Sequence, residues 1–153
     1  MSEFGRILLV EDSKNDRDLT EVALSESGLA NELVWVKDGQ EALDYLYREG
    51  DYAQRPEGHP AVVLLDLKMP RVDGLQVLAK VKGDPLLRTV PIVVLTSSSE
   101  EVDVVRSYGL GVNAYVVKPV GFTEFVSALK ELGVFWAVLN QPPPGTARDS
   151  KRR

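Results

Sequence analysis

Val62-Val63-Leu64-Leu65-Asp66-Leu67-Lys68-Met69-Pro70, closed by Asp73-Gly74, is the stretch from which the fold can be read. An apolar run with no polar break marks a strand buried on both faces, as inside a parallel sheet. Its first polar residue, Asp66, comes where the strand runs out. Pro70 and Asp73-Gly74 then force a turn, and a helical pattern follows. Ligands of open α/β sheets bind beyond the carboxyl ends of the strands, so Asp66 is a candidate reactive group. Taken alone, it could equally cap the next turn. The other strands decide.

Working outward, the first strand is Arg6-Ile7-Leu8-Leu9-Val10, which ends at two adjacent acids, Glu11-Asp12. Ser13 can cap a helix there, with Asp16 at the capping-box distance. That helix carries Leu19, Val22 and Ala23 and stops at Gly28. Leu33-Val34-Trp35-Val36 is the next strand, and Asp38 can cap a helix bearing Ala42, Leu43 and Leu46. The polar, Gly- and Pro-rich stretch from Arg48 to Pro60 reads as a long surface loop. Beyond the Asp66 strand, Leu75, Val77, Leu78 and Val81 define a helix that ends near Gly83-Asp84-Pro85. Pro91-Ile92-Val93-Val94-Leu95 is an apolar strand stopping at Thr96-Ser97-Ser98-Ser99. A helix from about Glu100 to Tyr108 follows, with Val102 and Val105 inward, then a strand over Val112 to Val117 ending at Lys118-Pro119. The final helix is expected from about Phe122 to Leu139, before Pro142-Pro143-Pro144. Five β/α repeats in alternation predict an α/β fold with a five-stranded, parallel, doubly wound sheet.

The totals agree with one domain. The chain has 153 residues, 44% hydrophobic and 27% charged, and residues 1–140 are expected to form the domain, with a disordered tail over 141–153. No apolar run is long enough to span a bilayer and no signal-peptide pattern is visible, so a cytoplasmic protein with no membrane association is expected. A net charge of −5 argues against a nucleic-acid surface. The absence of cysteine excludes disulfides, zinc-thiolate sites and thiol nucleophiles. The single histidine, His59, lies in loop-type sequence, which excludes Ser-His-Asp triads and multi-histidine metal sites. Any chemistry must run on carboxylates, hydroxyls and lysine.

In a parallel sheet, Glu11, Asp12, Asp66, Thr96 and Lys118 all converge on one edge. Clustered carboxylates raise one another's pKa unless a cation compensates them, and an all-oxygen cluster suits Mg²⁺. Lys118 adds a compact positive charge able to hold a phosphate oxygen or Asp66 itself, and the Thr96 hydroxyl can donate to the same oxygens. Carboxylate nucleophile, metal, lysine and hydroxyl together describe a site for attack on phosphorus, with an aspartyl-phosphate as product. Each part has a plain structural reading as a cap or turn residue. The combination, at the ends of the right strands, does not.

From about Arg6 through Leu139 the chain resembles the receiver domains of two-component response regulators. The resemblance implies a CheY-like fold with Asp66 as phosphoacceptor. Asp12 would ligate Mg²⁺ directly, Glu11 through water, and the main-chain carbonyl of Lys68 would add a ligand. Thr96 and Lys118 would contact the phosphoryl group, Tyr115 matches the switch aromatic that turns inward as Thr96 moves, and the Lys118-Pro119 bond would be cis. Ser97 departs from the alanine or glycine that many receivers carry after the threonine. Lys68 and Ser98 occupy the variable positions that tune dephosphorylation in the family. The long Arg48–Pro60 loop, Leu65-Asp66-Leu67 before Met69-Pro70, and Phe135-Trp136 make the layout similar to single-domain regulators paired with bacterial phytochrome histidine kinases.

The resemblance implies a phosphodonor histidine in trans, on a sensor histidine kinase, and output through a partner surface, an oligomeric switch or onward phosphotransfer. Phe122, Phe125, Leu129, Leu132 and Trp136 form one stripe of the final helix. Val126, Val134, Phe135, Val138 and Leu139 extend apolar surface beyond it. A symmetric homodimer through this helix and the last strand is therefore expected. The alternative is a phosphorylation-independent pseudo-receiver acting as an interaction module. A phosphohydrolase of the haloacid-dehalogenase type is disfavoured, since Lys68 stands where its second aspartate belongs. The chain is not expected to be an enzyme.

Overall fold

A computed structural model describes residues 5–25, 31–67, 72–107, 109–110, 112 and 114–133. The elements alternate as predicted: β1 Ile7–Val10, α1 Lys14–Ser25, β2 Leu33–Val36, α2 Gly39–Tyr47, β3 Val62–Asp66, α3 Gly74–Lys82, β4 Ile92–Thr96, α4 Ser99–Ser107, β5 Tyr115–Val117 and α5 Phe122–Leu132. The strands form one parallel sheet in the order β2-β1-β3-β4-β5.

Strand alternation divides the core in two. Ile7, Leu9, Val62, Leu64, Val93 and Leu95 face Leu24 of α1 and Phe125, Ala128 and Leu129 of α5. Leu8, Val10, Val63, Leu65, Ile92 and Val94 face Ala42 and Leu46 of α2, Val77, Leu78 and Val81 of α3, and Val105 of α4. Every residue of β3 and β4 is buried, as an interior strand covered by helices on both faces requires.

Local signals set the helix starts. The Asp38 side chain accepts the Glu41 amide at 2.8 Å, and Asp73 and Gln76 form a reciprocal capping box. Gly74 lies so close under the end of β3 that a Cβ there would meet the Asp66 carbonyl and stand 2.6 Å from Leu67 Cα. Only glycine lets α3 begin there.

Several boundaries and faces differ from expectation. The inward ridge of α1 is Thr20 and Leu24, while Leu19 and Val22 are about half exposed. The β5 ladder starts at Tyr115 rather than Val112, although the Val94 amide already bonds the Ala114 carbonyl at 3.0 Å. The last helix stops at Leu132, short of Leu139, because Gly133 adopts a left-handed conformation (φ 74°) and returns its amide to Leu129 and Lys130 carbonyls. Phe122, expected in its buried stripe, is exposed. The apolar residues from Val134 to Leu139, the expected tail, the Gly28 helix stop, and Lys68 lie outside the described residues.

The Arg48–Pro60 loop is at the opposite end of the sheet from Asp66 and is held by its arginines. It contains a short 3₁₀ turn, Gly50–Tyr52. The Arg55 guanidinium lies 4.3 Å from the Tyr45 ring centroid and donates to the carbonyls of Tyr45 (2.7 Å), Pro56 (2.5 Å) and Gly58 (3.0 Å). Arg48 donates to the Arg55 carbonyl at 2.9 Å, and Tyr52 packs edge-on against Tyr45 while its hydroxyl donates to Glu41 at 2.6 Å.

Candidate functional site

Register brings the strand-end residues together. Val10 pairs with Leu65, so Glu11 comes level with Asp66. Asp66 pairs with Leu95, one residue before Thr96, and Thr96 pairs with Val117, one residue before Lys118. The Lys118 amide donates to the Thr96 carbonyl at 2.8 Å, which fixes the lysine's backbone to the end of β4.

The side chains converge as the register demands. Asp66 and Glu11 are buried and Asp12 is exposed. Carboxylate oxygens of all three lie within 4.8 Å of one another. The Lys118 ammonium is 3.3 Å from Asp66 Oδ2, 3.4 Å from Glu11 Oε1 and 3.0 Å from Asp16 Oδ2. Thr96 is wholly buried, and its hydroxyl has no hydrogen-bond partner among the described residues. A buried hydroxyl without a partner is costly, and one placed a step from Asp66 is poised for an incoming oxygen.

The electrostatics are those of a site with too much negative charge. Burial, and then the hydrogen bond and charge of Asp66, push Glu11 up to about 8, against the lowering influence of Lys118 and the Ser13 amide. Burial works to lower the Lys118 pKa, but the hydrogen bond to Asp16 and the charges of Asp66, Glu11 and Asp16 outweigh it and hold the ammonium above its usual range. All-oxygen donors, two of them buried, fit a hard divalent cation of the Mg²⁺ kind. Asp12, exposed at the mouth, offers the accessible carboxylate.

Glu11 is secured on several sides. Its amide donates to Val36 at 3.1 Å, its carbonyl accepts the Trp35 indole at 2.8 Å, and its Oε2 accepts the Ser13 amide at 3.3 Å. The Arg17 guanidinium stacks 4.3 Å from the Trp35 ring, tying α1 to β2. Tyr115 is half-buried, its hydroxyl donating to the Val112 carbonyl at 2.9 Å, with the Arg106 guanidinium 5.3 Å from its ring. Burial raises the Tyr115 pKa and Arg106 opposes that rise. The Lys118-Pro119 bond is cis. His59 is exposed and remote.

Two participants were not singled out from sequence as parts of the site. In sequence Asp16 reads only as a capping residue, and Trp35 only as a strand residue. A carboxylate one helical turn past Glu11-Asp12 was the available signal for Asp16; nothing in the sequence marks the Trp35 bond to a main-chain carbonyl.

Comparison with known proteins gives a consistent result. The model of the response regulator receiver domain matches residues 7–130. Response regulator Rcp1 of Synechocystis sp. is 41% identical over 130 residues, 85% of this chain and 87% of that protein. The structure of the bacteriophytochrome response regulator AtBRR is 61% identical, with a TM-score of 0.87 over 92% of this chain and all (100%) of that one. The Mn²⁺-bound form of Rcp1 is 39% identical, with a TM-score of 0.69 over 91% of this chain and 99% of that one. No described helix is long and apolar enough to cross a membrane.

Proposed function

The chain belongs to the response regulator receiver domain family, and on that premise we propose that it takes a phosphoryl group on Asp66 from a histidine kinase, with Mg²⁺ held by Glu11, Asp12, Asp66 and the Lys68 carbonyl. One observation carries the residue assignment: Asp66 is a buried carboxylate at a strand end, 3.3 Å from the Lys118 ammonium, beside a buried hydroxyl with no partner among the described residues.

The Asp66 carboxylate attacks phosphorus in line with the phosphohistidine nitrogen. The P–N bond breaks, the imidazole leaves with a proton, and an aspartyl-phosphate forms. A divalent cation held by Glu11, Asp12 and Asp66 would supply charge neutralisation to the transferring oxygens. Lys118 supplies a further positive charge to those oxygens, and the Thr96 hydroxyl donates to one of them, gaining the partner it lacks. As Thr96 moves, the space it leaves admits the Tyr115 ring. Attack of water on phosphorus returns phosphate and the free carboxylate, so the chain is a switch that turns over no other substrate.

The donor is a sensor kinase of the phytochrome class, a reading supported by relatives described as phytochrome response regulators. Output passes through a homodimer. Val117 on the edge strand β5 and Phe122 on α5 are exposed, and Phe122 and Val126 line one strip of α5, an apolar face suited to a second copy. Sedimentation showing only monomer at tens of micromolar would remove the dimer. The protein is placed in the cytoplasm, with residues 1–140 as the receiver and 141–153 as a tail.

The deciding experiment is intact mass after incubation with acetyl phosphate, with and without Mg²⁺, beside Asp66→Asn. One phosphoryl adduct requiring both Mg²⁺ and Asp66 is expected. Failure of folded protein to form one, also with a cognate kinase, would leave a phosphorylation-independent interaction module.

A further inference from the structure

Asp16 sits in the first turn of α1, where a cap predicts one arrangement and the structure has another. The Ser13 hydroxyl accepts the Asp16 amide at 3.2 Å, and a capping partner would normally return its carboxylate to the Ser13 amide. That amide instead donates to Glu11 Oε2 at 3.3 Å. The Asp16 carboxylate is turned to Lys118, and its 3.0 Å contact is shorter than those of Asp66 (3.3 Å) and Glu11 (3.4 Å). The ammonium donates hydrogen bonds to Glu11 and Asp16 and forms an ion pair with Asp66.

A phosphoryl group on Asp66 would add terminal oxygens with about two negative charges in place of the Asp66 carboxylate, and the two carboxylates that remain, Glu11 and Asp16, compete with those oxygens for the Lys118 ammonium. Glu11 is fully buried, so its Oε1 has no solvent to replace the Lys118 donor if the ammonium leaves. Asp16 has a side chain 36% exposed and can be rehydrated. The Asp16 contact is therefore the one that opens.

We propose that Asp16 is a positioning residue that parks the Lys118 ammonium in the resting site and releases it to the phosphoryl group, so that its carboxylate weights the switch toward the unphosphorylated form. This rests on Asp66 being the phosphoacceptor. The test is titration of trifluoroberyllate, a phosphoryl mimic, into wild type, Asp16→Asn, Asp16→Glu and Asp18→Asn at saturating Mg²⁺. Asp18 pairs with Arg17 at 3.5 Å and controls for loss of one charge from the same helix. Asp16→Asn is expected to tighten binding about twofold to fivefold, the range of a partly exposed charged contact. Asp16→Glu should restore wild-type affinity and Asp18→Asn should leave it unchanged. Unaltered or weaker binding by Asp16→Asn, no rescue by Asp16→Glu, or an equal gain in Asp18→Asn, would overturn the proposal. Wild type that fails to bind, or that binds equally as Asp66→Asn, would remove the phosphoacceptor reading as well.

Discussion

Replacing Thr96 with valine should stabilise the resting protein while disabling its response. Thr96 closes β4, is wholly inaccessible to solvent, and has a hydroxyl with no partner among the described residues. Valine keeps the β-branched shape that suits a strand and removes only the stranded polar group. Burying such a group costs about 1–3 kcal/mol, so the gain should be about 1–2 kcal/mol once small packing adjustments are deducted. For a domain of this size that corresponds to a rise in Tm of roughly 3–8 °C. The assay is thermal unfolding of both proteins, first in EDTA and then with Mg²⁺ and trifluoroberyllate. Thr96→Val should melt higher in EDTA and gain less from the mimic, because the hydrogen bond that wild type forms with it is missing. A Tm below wild type in EDTA would refute the premise that the hydroxyl is unsatisfied at rest. An equal increment from the mimic would refute its role in binding the phosphoryl group.

The raised Glu11 pKa makes stability pH-dependent with a definite sign. Its carboxyl holds a proton in the folded state up to about 8 but releases it near 4.5 when unfolded, so its contribution is fully present below 4.5 and is lost as pH climbs toward 8. Mg²⁺ must displace that proton, and the Tm increment from Mg²⁺ should therefore grow between pH 5.5 and 8.5; equal increments at both would contradict the shift. Gly74→Ala forces a Cβ to 2.6 Å from Leu67 Cα and against the Asp66 carbonyl, and should cost about 2–3 kcal/mol and slow adduct formation. Wild-type melting and wild-type phosphorylation together would show that the contact yields cheaply. Arg55→Ala removes the stack on Tyr45 and the bonds to three carbonyls, and should cost about 1–2 kcal/mol with unchanged Mg²⁺-dependent phosphorylation. Limited proteolysis should cut first between Arg48 and Pro60, and a loop as resistant as wild type would count against the clamp.

What could be read from sequence divides along a physical line. The buried strand Val62–Asp66 was legible because an unbroken apolar run has few other uses. Once the strands are parallel, strand-end residues such as Glu11, Thr96 and Lys118 must share an edge with Asp66, since parallel register fixes where strands end. Asp16 was not legible, because its place beside Lys118 depends on how α1 is rotated over the sheet. The exposed ridge of Leu19 and Val22 shows that the apolar spacing did not give that rotation. The end of α5 was misplaced for a related reason: apolar residues continue past Gly133, and a hydrophobic pattern does not reveal that a glycine has already closed the hydrogen-bond ladder. In the Arg48–Pro60 loop the acceptors of Arg48 and Arg55 are main-chain carbonyls, which every residue carries, so composition cannot distinguish a clamped loop from a solvated one. Side chains that answer to the sheet are thus set by strand order, whereas those that answer to a helix's rotation or to a carbonyl are set by packing. Asp16 is of the second kind. A third carboxylate for the Lys118 ammonium therefore enters the site through the rotation of α1, leaving the strand-end signature unchanged.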